Sequence, residues 1–153
     1  MVTIHGTCVL VGGIGVLLRG PSGGGKSDVA VRLIDDGALL VADDQVQVHN
    51  DQGRLMATAP APLAGLIEVR GVGILQVPSA DTAEIRLIVD LVTAEQVERL
   101  PEAETVTVLD RALPHLALSP FEASTPAKLR LAAAAVAAGR LGAVPPPPPP
   151  CVP

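Results

Sequence analysis

Gly20, Pro21, Ser22, Gly23, Gly24, Gly25, Lys26 and Ser27 together spell G-x-x-x-x-G-K-S. That spacing suits an anion. Glycines let successive backbone N–H groups turn inward around oxyanions, and a helix beginning at the lysine adds its positive end. Lys26 can supply a mobile charge for the β- and γ-phosphates of a nucleotide, and the Ser27 hydroxyl can ligate Mg²⁺. Phosphoryl transfer also needs a carboxylate beside the metal and a group that takes the acceptor's proton. Two strand ends offer one. Leu39-Leu40-Val41-Ala42 runs into Asp43 and Asp44, and Ile85-Arg86-Leu87-Ile88-Val89 runs into Asp90. Neighbouring strand residues point to opposite faces, so one of the two adjacent acids is expected to address the loop. The residues alone do not choose between that pair and Asp90. In Glu68-Val69-Arg70-Gly71-Val72-Gly73, an acid and a base share one side of a strand. They read either as an ordinary ion pair or as a metal ligand with a phosphate clamp, Gly71 and Gly73 allowing close backbone approach. His5 lies at the start of the first strand, where a lone histidine is more often structural. His49 and His115 read as structural, and Arg99 as a solvated arginine near the end of a candidate helix.

These groups need a frame, and hydrophobic spacing supplies one. Residues 7–10 and 14–18 are aliphatic runs around Gly12 and Gly13, a hairpin pattern. Residues 26–36 carry Val29, Ala30, Leu33 and Ile34 at helical spacing and stop at Gly37. Residues 39–42 read as a buried strand and 45–49 as an edge strand continuing from it. Segments 67–69 and 74–77 flank the second glycine pair. Segment 85–91 is the strongest strand pattern, 106–109 and 116–118 are shorter ones, and 93–100 reads as a short helix. Residues 126–138, rich in Ala and Leu, begin with Pro126 and stop at Gly139, which predicts a closing helix. The expected fold class is α/β, mostly strands around a central sheet, with a phosphate-loop helix and a closing C-terminal helix. The unbroken run Pro145 to Pro150 forces polyproline II and marks residues 143–153 as a disordered proline-rich tail behind a domain spanning 1–142.

Composition narrows the function classes. The 153 residues suffice for one domain, and 48% hydrophobic content is enough for a core. Eleven Lys and Arg against 16 Asp and Glu leave a net charge of −5, which argues against a nucleic-acid partner. Phe121 is the single aromatic residue, so no aromatic is expected to stack a base, adenine included. The apolar runs fall short of the roughly 18 residues a membrane span requires, so no membrane partner is expected. Cys8 and Cys151 stand at opposite ends, too few and too far apart for a disulfide framework or a zinc site. Residues 1–10 lack a basic run ahead of an apolar one, and the expected location is cytoplasmic.

Four features taken in order resemble the catalytic domain of HPr kinase/phosphorylase. They are Ile4-His5-Gly6, the loop from Gly20 to Ser27, Leu40-Val41-Ala42-Asp43-Asp44, and Glu68-Val69-Arg70-Gly71-Val72-Gly73-Ile74. The resemblance covers most of residues 4–138. It implies a P-loop kinase-like domain that uses ATP and Mg²⁺ to phosphorylate a serine of an HPr-like phosphocarrier protein of the phosphotransferase system, and that also runs the reverse reaction. Carried over residue by residue, it implies that Lys26 and Ser27 hold phosphate and Mg²⁺ and that Glu68 is the second magnesium-side residue. Asp44 would be the proton acceptor in phosphorylation and the donor in reverse. His5 would be an active-site histidine, and Arg99, in Val97-Glu98-Arg99-Leu100, the catalytic arginine. A homo-oligomer, a hexamer, is implied as well.

The sequence departs from the family in three ways. It looks like a short form without a separate N-terminal domain. Residues 119–128 keep one base and add an acid where the family is basic and glycine-containing, which weighs against the dephosphorylating half. Residues 80–115 are compact. Two other readings remain at this stage: a small-molecule kinase with Asp90 as its metal-side acid, and a nucleotide-binding regulatory protein without chemistry. The negative charge disfavours an acidic protein partner unless Arg19, Arg32 and Arg70 form a basic patch.

Overall fold

A computed structural model describes residues 1–141. The proline run and Cys151 lie outside the described residues. The described residues form eleven strands and two helices in the order β1 (Val2–His5), β2 (Thr7–Val11), β3 (Ile14–Arg19), α1 (Lys26–Asp35), β4 (Leu39–Ala42), β5 (Gln45–Asp51), β6 (Arg54–Thr58), β7 (Leu66–Val69), β8 (Gly73–Gln76), β9 (Ala83–Leu91), β10 (Glu104–Val108), β11 (Arg111–Leu118) and α2 (Thr125–Ala137). Nine strands make one curled sheet in the order β1-β5-β6-β9-β3-β2-β4, with β11 also pairing β9 and β10 pairing β11; β7 and β8 form a separate hairpin. The expected α/β class with a strand-rich centre holds.

Next to the central β9 lies β3, Ile-Gly-Val-Leu-Leu-Arg, buried on both faces along almost its whole length. Such a strand reads as a continuous apolar run because neither face meets water. Alternation splits its side chains between two cores. Val16 and Leu18 pack with Val29, Ala30 and Leu33 of α1 and Leu129, Ala133 and Val136 of α2. Leu17 faces the other way, onto Val46 and Val48 of β5 and Leu55 and Ala57 of β6. The sheet therefore covers one of its own faces by curling and leaves the other to the helices. Each fully buried aliphatic contributes about 1.5–3 kcal/mol of transfer free energy. Gly15 is required by β9: a Cβ there would lie 2.1 Å from the Glu84 carbonyl oxygen.

The sequence pattern missed several features. β5 is no edge strand; it lies between β1 and β6, and β1 takes the edge, register Val2↔Val48 to His5↔Gln45. β6 escaped notice although its turn is local. Gln52 and Gly53 both have positive φ, 54° and 83°, the geometry of a two-residue hairpin turn. Leu109 and Asp110 form the same kind of turn, φ 46° and 65°, and extend β10 and β11 beyond the expected segments. The predicted helix over 93–100 is only a 3-10 turn, Ala94–Gln96, capped reciprocally by Thr93 and Gln96. Pro101 disfavours helical geometry at Leu100, which is exposed, so a longer helix would have no apolar face to bury.

Candidate active site at the phosphate loop

Strand direction gathers the functional residues at one end of the sheet. β9 is parallel to both β3 and β11, and β2 is antiparallel to both β3 and β4. The C-terminal ends of β3, β4, β9 and β11 therefore share an edge with the N-terminal end of β2. Gly20–Ser27 leaves β3 at that edge, Asp43 and Asp44 leave β4, and Thr7 opens β2 behind His5. The edge holds a cleft of about 470 Å³ lined by His5, Thr7, Ser22, Lys26, Ser27, Asp43, Asp44, Glu68, Arg70 and Phe121, among others.

The loop turns through Gly23 and Gly25 at φ 75° and 95°, and Gly25 caps α1. Lys26 is 6% exposed, and its ammonium donates to the carbonyls of Gly20 at 2.8 Å and Pro21 at 2.9 Å. An ammonium has three donors, so one remains for an oxyanion in the loop. Ser27 Oγ donates to Asp43 Oδ1 at 2.8 Å, and Thr7 Oγ1 donates to the same oxygen at 2.9 Å. The Glu68 N–H points to Asp43 Oδ2 at 3.5 Å, the long limit of a hydrogen bond.

Asp43 and Asp44 both line the cleft, against the expectation that only one would. The strand has ended at Ala42, and Asp44 turns into the left-handed region at φ 68° while Gln45 N–H bonds the Asp43 carbonyl at 2.8 Å. This is a three-residue turn of the γ kind, a conformation that persists only where its surroundings hold it. The Gly6 N–H supplies one tether, bonding the Asp44 carbonyl at 3.2 Å. The Asp44 side chain meets His5 Nδ1 at 3.2 Å, and His5 Nε2 meets Ser22 Oγ at 3.3 Å. With Asp44 ionised, Nδ1 carries the hydrogen and Nε2 accepts from the serine hydroxyl.

The rival acid is removed from the cleft. Asp90 takes a bidentate guanidinium from Arg19, 2.8 and 3.0 Å, and a further bond from His115 Nε2 at 2.8 Å, while His115 Nδ1 meets Glu104. Burial alone would raise the Asp90 carboxyl, but the bonds and charges of Arg19 and His115 outweigh it and hold the carboxyl below its usual range. Asp90 therefore clamps β9 to β3 and β11, and the supposed basic patch dissolves. Arg19 is spent on Asp90, Arg32 pairs with Asp28 at 2.9 Å, and only Arg70 of the three lines the cleft. Arg99 is exposed in the coil before β10 and does not line the cleft, so the structure does not bring it to the other site residues. Thr7 and Phe121 are cleft residues that sequence reasoning gave no role, and Asp43 lines the cleft beside Asp44, to which the family resemblance gave the role.

The description "HPr Serine kinase C-terminal domain" belongs to a family model that matches residues 1–140. The chain belongs to this family. It is 49% identical over 76 residues to HPr kinase/phosphorylase of Clostridium tetani, covering 50% of this chain and 25% of that protein. It is 39% identical over 127 residues to HPr kinase/phosphorylase of Geobacillus kaustophilus, covering 75% of this chain and 41% of that protein. The chain thus spans a quarter to two fifths of the length of these curated relatives. A solved structure, the Hpr(Ser) kinase/phosphatase from Coxiella burnetii, superposes with a TM-score of 0.77 at 27% identity, over 92% of each chain. In this chain the phosphate loop, the two-acid turn and Glu68–Arg70 border one cleft. No helix among the described residues is long and apolar enough to cross a membrane.

Proposed function

We propose that this domain is an ATP-dependent protein serine kinase whose acceptor is an HPr-like phosphocarrier protein of the phosphotransferase system. The observation that carries the reading is the shared cleft: Lys26 and Ser27 of the phosphate loop beside Asp43, with Asp44 and His5 adjoining them. The donor set suits Mg²⁺, which prefers a few hard oxygen ligands and completes its shell with water and substrate phosphate. Ser27 and Asp43 are the nearest such oxygens, with Glu68 at the rim, and the described residues hold no cluster of three or more metal-binding side chains that would form an all-protein cage. When bound, the ion would neutralise charge on the β- and γ-phosphates.

The chain's own residues divide the remaining work. Lys26 and the loop amides hold the terminal phosphates. Asp44 takes the proton of the acceptor serine as the new O–P bond forms and ADP departs with the electron pair of the broken bond. His5 is a positioning residue that fixes the Asp44 carboxylate through Nδ1. In dephosphorylation, water or inorganic phosphate would attack the phosphoserine phosphorus, the serine O–P bond would break, and Asp44 would return the proton to the leaving serine oxygen. Val72 and Ile74, 69% and 71% exposed on the β7–β8 hairpin beside the cleft, favour a macromolecular acceptor over a small molecule. Family membership supports a hexameric assembly, which sedimentation measures. The test incubates the chain with ATP, Mg²⁺ and candidate phosphocarrier proteins and maps the modified residue by mass spectrometry. Phosphoserine on the acceptor is the expected product; nucleotide turnover without any modified protein would overturn the assignment.

A further inference from the structure

Phe121 is 72% exposed, yet the segment that carries it is fixed on every side. Arg32, from the phosphate-loop helix, donates to the carbonyl of Glu122 at 3.0 Å and to that of Pro120. Thr125 Oγ1 donates to the Ser119 carbonyl, and Lys128 pairs with Glu122 at 3.1 Å. The absence of a side chain at Gly25 lets the segment close on the loop: a Cβ there would lie 2.7 Å from Pro120 Cβ and 3.3 Å from Phe121 Cε1. These bonds use the segment's backbone and its flanking side chains. The one aromatic ring of the chain is held against the phosphate loop but not covered by it, and it lines the same cleft as Lys26 and Ser27.

Strand order says which part of a ligand would meet it. The loop leaves β3; the two acids leave β4, on one side of β3 beyond β2; the Phe121 segment leaves β11, on the other side beyond β9. A nucleotide with its terminal phosphates in the loop and its γ-phosphorus directed to Asp44 extends its nucleoside away from β4, toward β11. Ligands of parallel sheets lie across the C-terminal strand ends in this manner. We propose that Phe121 is the platform on which the purine ring of the bound nucleotide stacks. The proposal rests on the reading of Gly20–Ser27 as the phosphate site. It runs against the expectation that no aromatic could serve a base, because Phe121 lines the cleft.

The test separates the ring from the phosphates. Magnesium complexes of ATP and of inorganic tripolyphosphate are titrated into wild type, Phe121→Ala, Phe121→Trp and Lys26→Met. Loss of a base–aromatic stack weakens ATP binding by about tenfold in Phe121→Ala and leaves tripolyphosphate binding unchanged. The chain has no other Trp, so Phe121→Trp is a clean reporter whose emission changes with ATP and not with tripolyphosphate. Equal weakening of both ligands in Phe121→Ala, or of neither, overturns stacking while the phosphate site stands. Unchanged ATP affinity with impaired transfer to the protein acceptor would assign the ring to the acceptor, and also overturns it. Tripolyphosphate binding that survives Lys26→Met instead removes the phosphate-site reading on which the proposal depends.

Discussion

Asp44→Asn separates proton transfer from folding, because this position lets the two effects be read apart. The backbone there has φ 68° and the side chain is 65% exposed. Asn is among the few residues that enter the left-handed region readily, so the turn and its Gln45 N–H bond to Asp43 persist. The stability change expected for such an exposed, isosteric swap is within about 0.5 kcal/mol. Asp44→Ala would add about 1–2 kcal/mol of backbone strain and confuse the comparison. The amide cannot take a proton, and a positioned base contributes about 10²–10⁴ in rate, so kcat falls by that factor, about 3–5 kcal/mol of barrier. KM for ATP stays within about twofold, since Asp44 is not among the groups that hold the phosphates. Initial rates of phosphoserine formation at saturating ATP, paired with a thermal melt, supply both readings. A variant that melts like wild type and turns over within about threefold of it would show that the base lies elsewhere.

Lys26→Met removes the one cation at the loop, and a charge-assisted contact is worth about 1.5–3 kcal/mol, so calorimetry should find ATP affinity reduced about 10- to 100-fold. Asp90→Asn breaks the Arg19 fork; the pair is about a third exposed, and the loss at pH 7 is about 1–2 kcal/mol by urea unfolding. The native carboxyl titrates below the ordinary 3.8, so the unfolded chain binds its proton first. That stability is present above the ordinary value and is lost as pH falls, and the gap between wild type and Asp90→Asn should close below about pH 4. Complete burial pushes the Cys8 thiol from 9.0 up to about 12. The native thiol keeps its proton where the unfolded one has lost it, so this contribution is whole below pH 9 and declines between 9 and 12. Peptide-mapped alkylation at pH 8 should label Cys8 in urea and spare it in the native chain.

What was legible in the sequence was whatever local physics determines. The glycine loop, the stripe Val29-Ala30-Leu33 and the closing helix behind Pro126 announce themselves because spacing, caps and breakers all lie within a few residues of one another. Ser22, Gly23, Gly25, Lys26 and Ser27 of the loop, with Glu68 and Arg70, do reach one cleft. That Asp43 and Asp44 line the cleft and Asp90 does not was not legible from the residues, since both strand ends carry acids after aliphatic runs. What keeps Asp90 out of the cleft is Arg19 and His115, brought to it from 71 and 25 residues away. The rule of alternating strand faces failed at Asp43 and Asp44 for a similar reason. Alternation ends with the strand, and the Gly6 N–H tether on the Asp44 carbonyl comes from far earlier in the chain. Phe121 was discounted on composition, where one aromatic looks like none. Its placement depends on Gly25 and Arg32, whose contacts with residues 120–122 no local pattern shows.

The antiparallel β2 between β3 and β4 explains why the two acids can have different work. It sets β4 two strands away from the loop, so Asp43 reaches Ser27 only as the last residue before the turn, steadied by Thr7 from β2 itself. The γ-type turn then carries Asp44 one residue further, out of the Ser27 contact and onto His5, which the chain supplies just ahead of that same strand. One carboxylate is thereby held by two hydroxyl donors next to the phosphate loop. The other is left exposed, with a single histidine, where a protein hydroxyl could approach. Removing the Thr7 hydroxyl should accordingly disturb the Asp43 side of the cleft, raising the magnesium concentration needed for half-maximal rate in Thr7→Val. Removing the imidazole should act on Asp44, lowering kcat about tenfold in His5→Gln at unchanged magnesium dependence. If both variants shifted the same parameter, the division of labour between the two acids would be wrong, and the turn at Asp44 would have no chemical purpose.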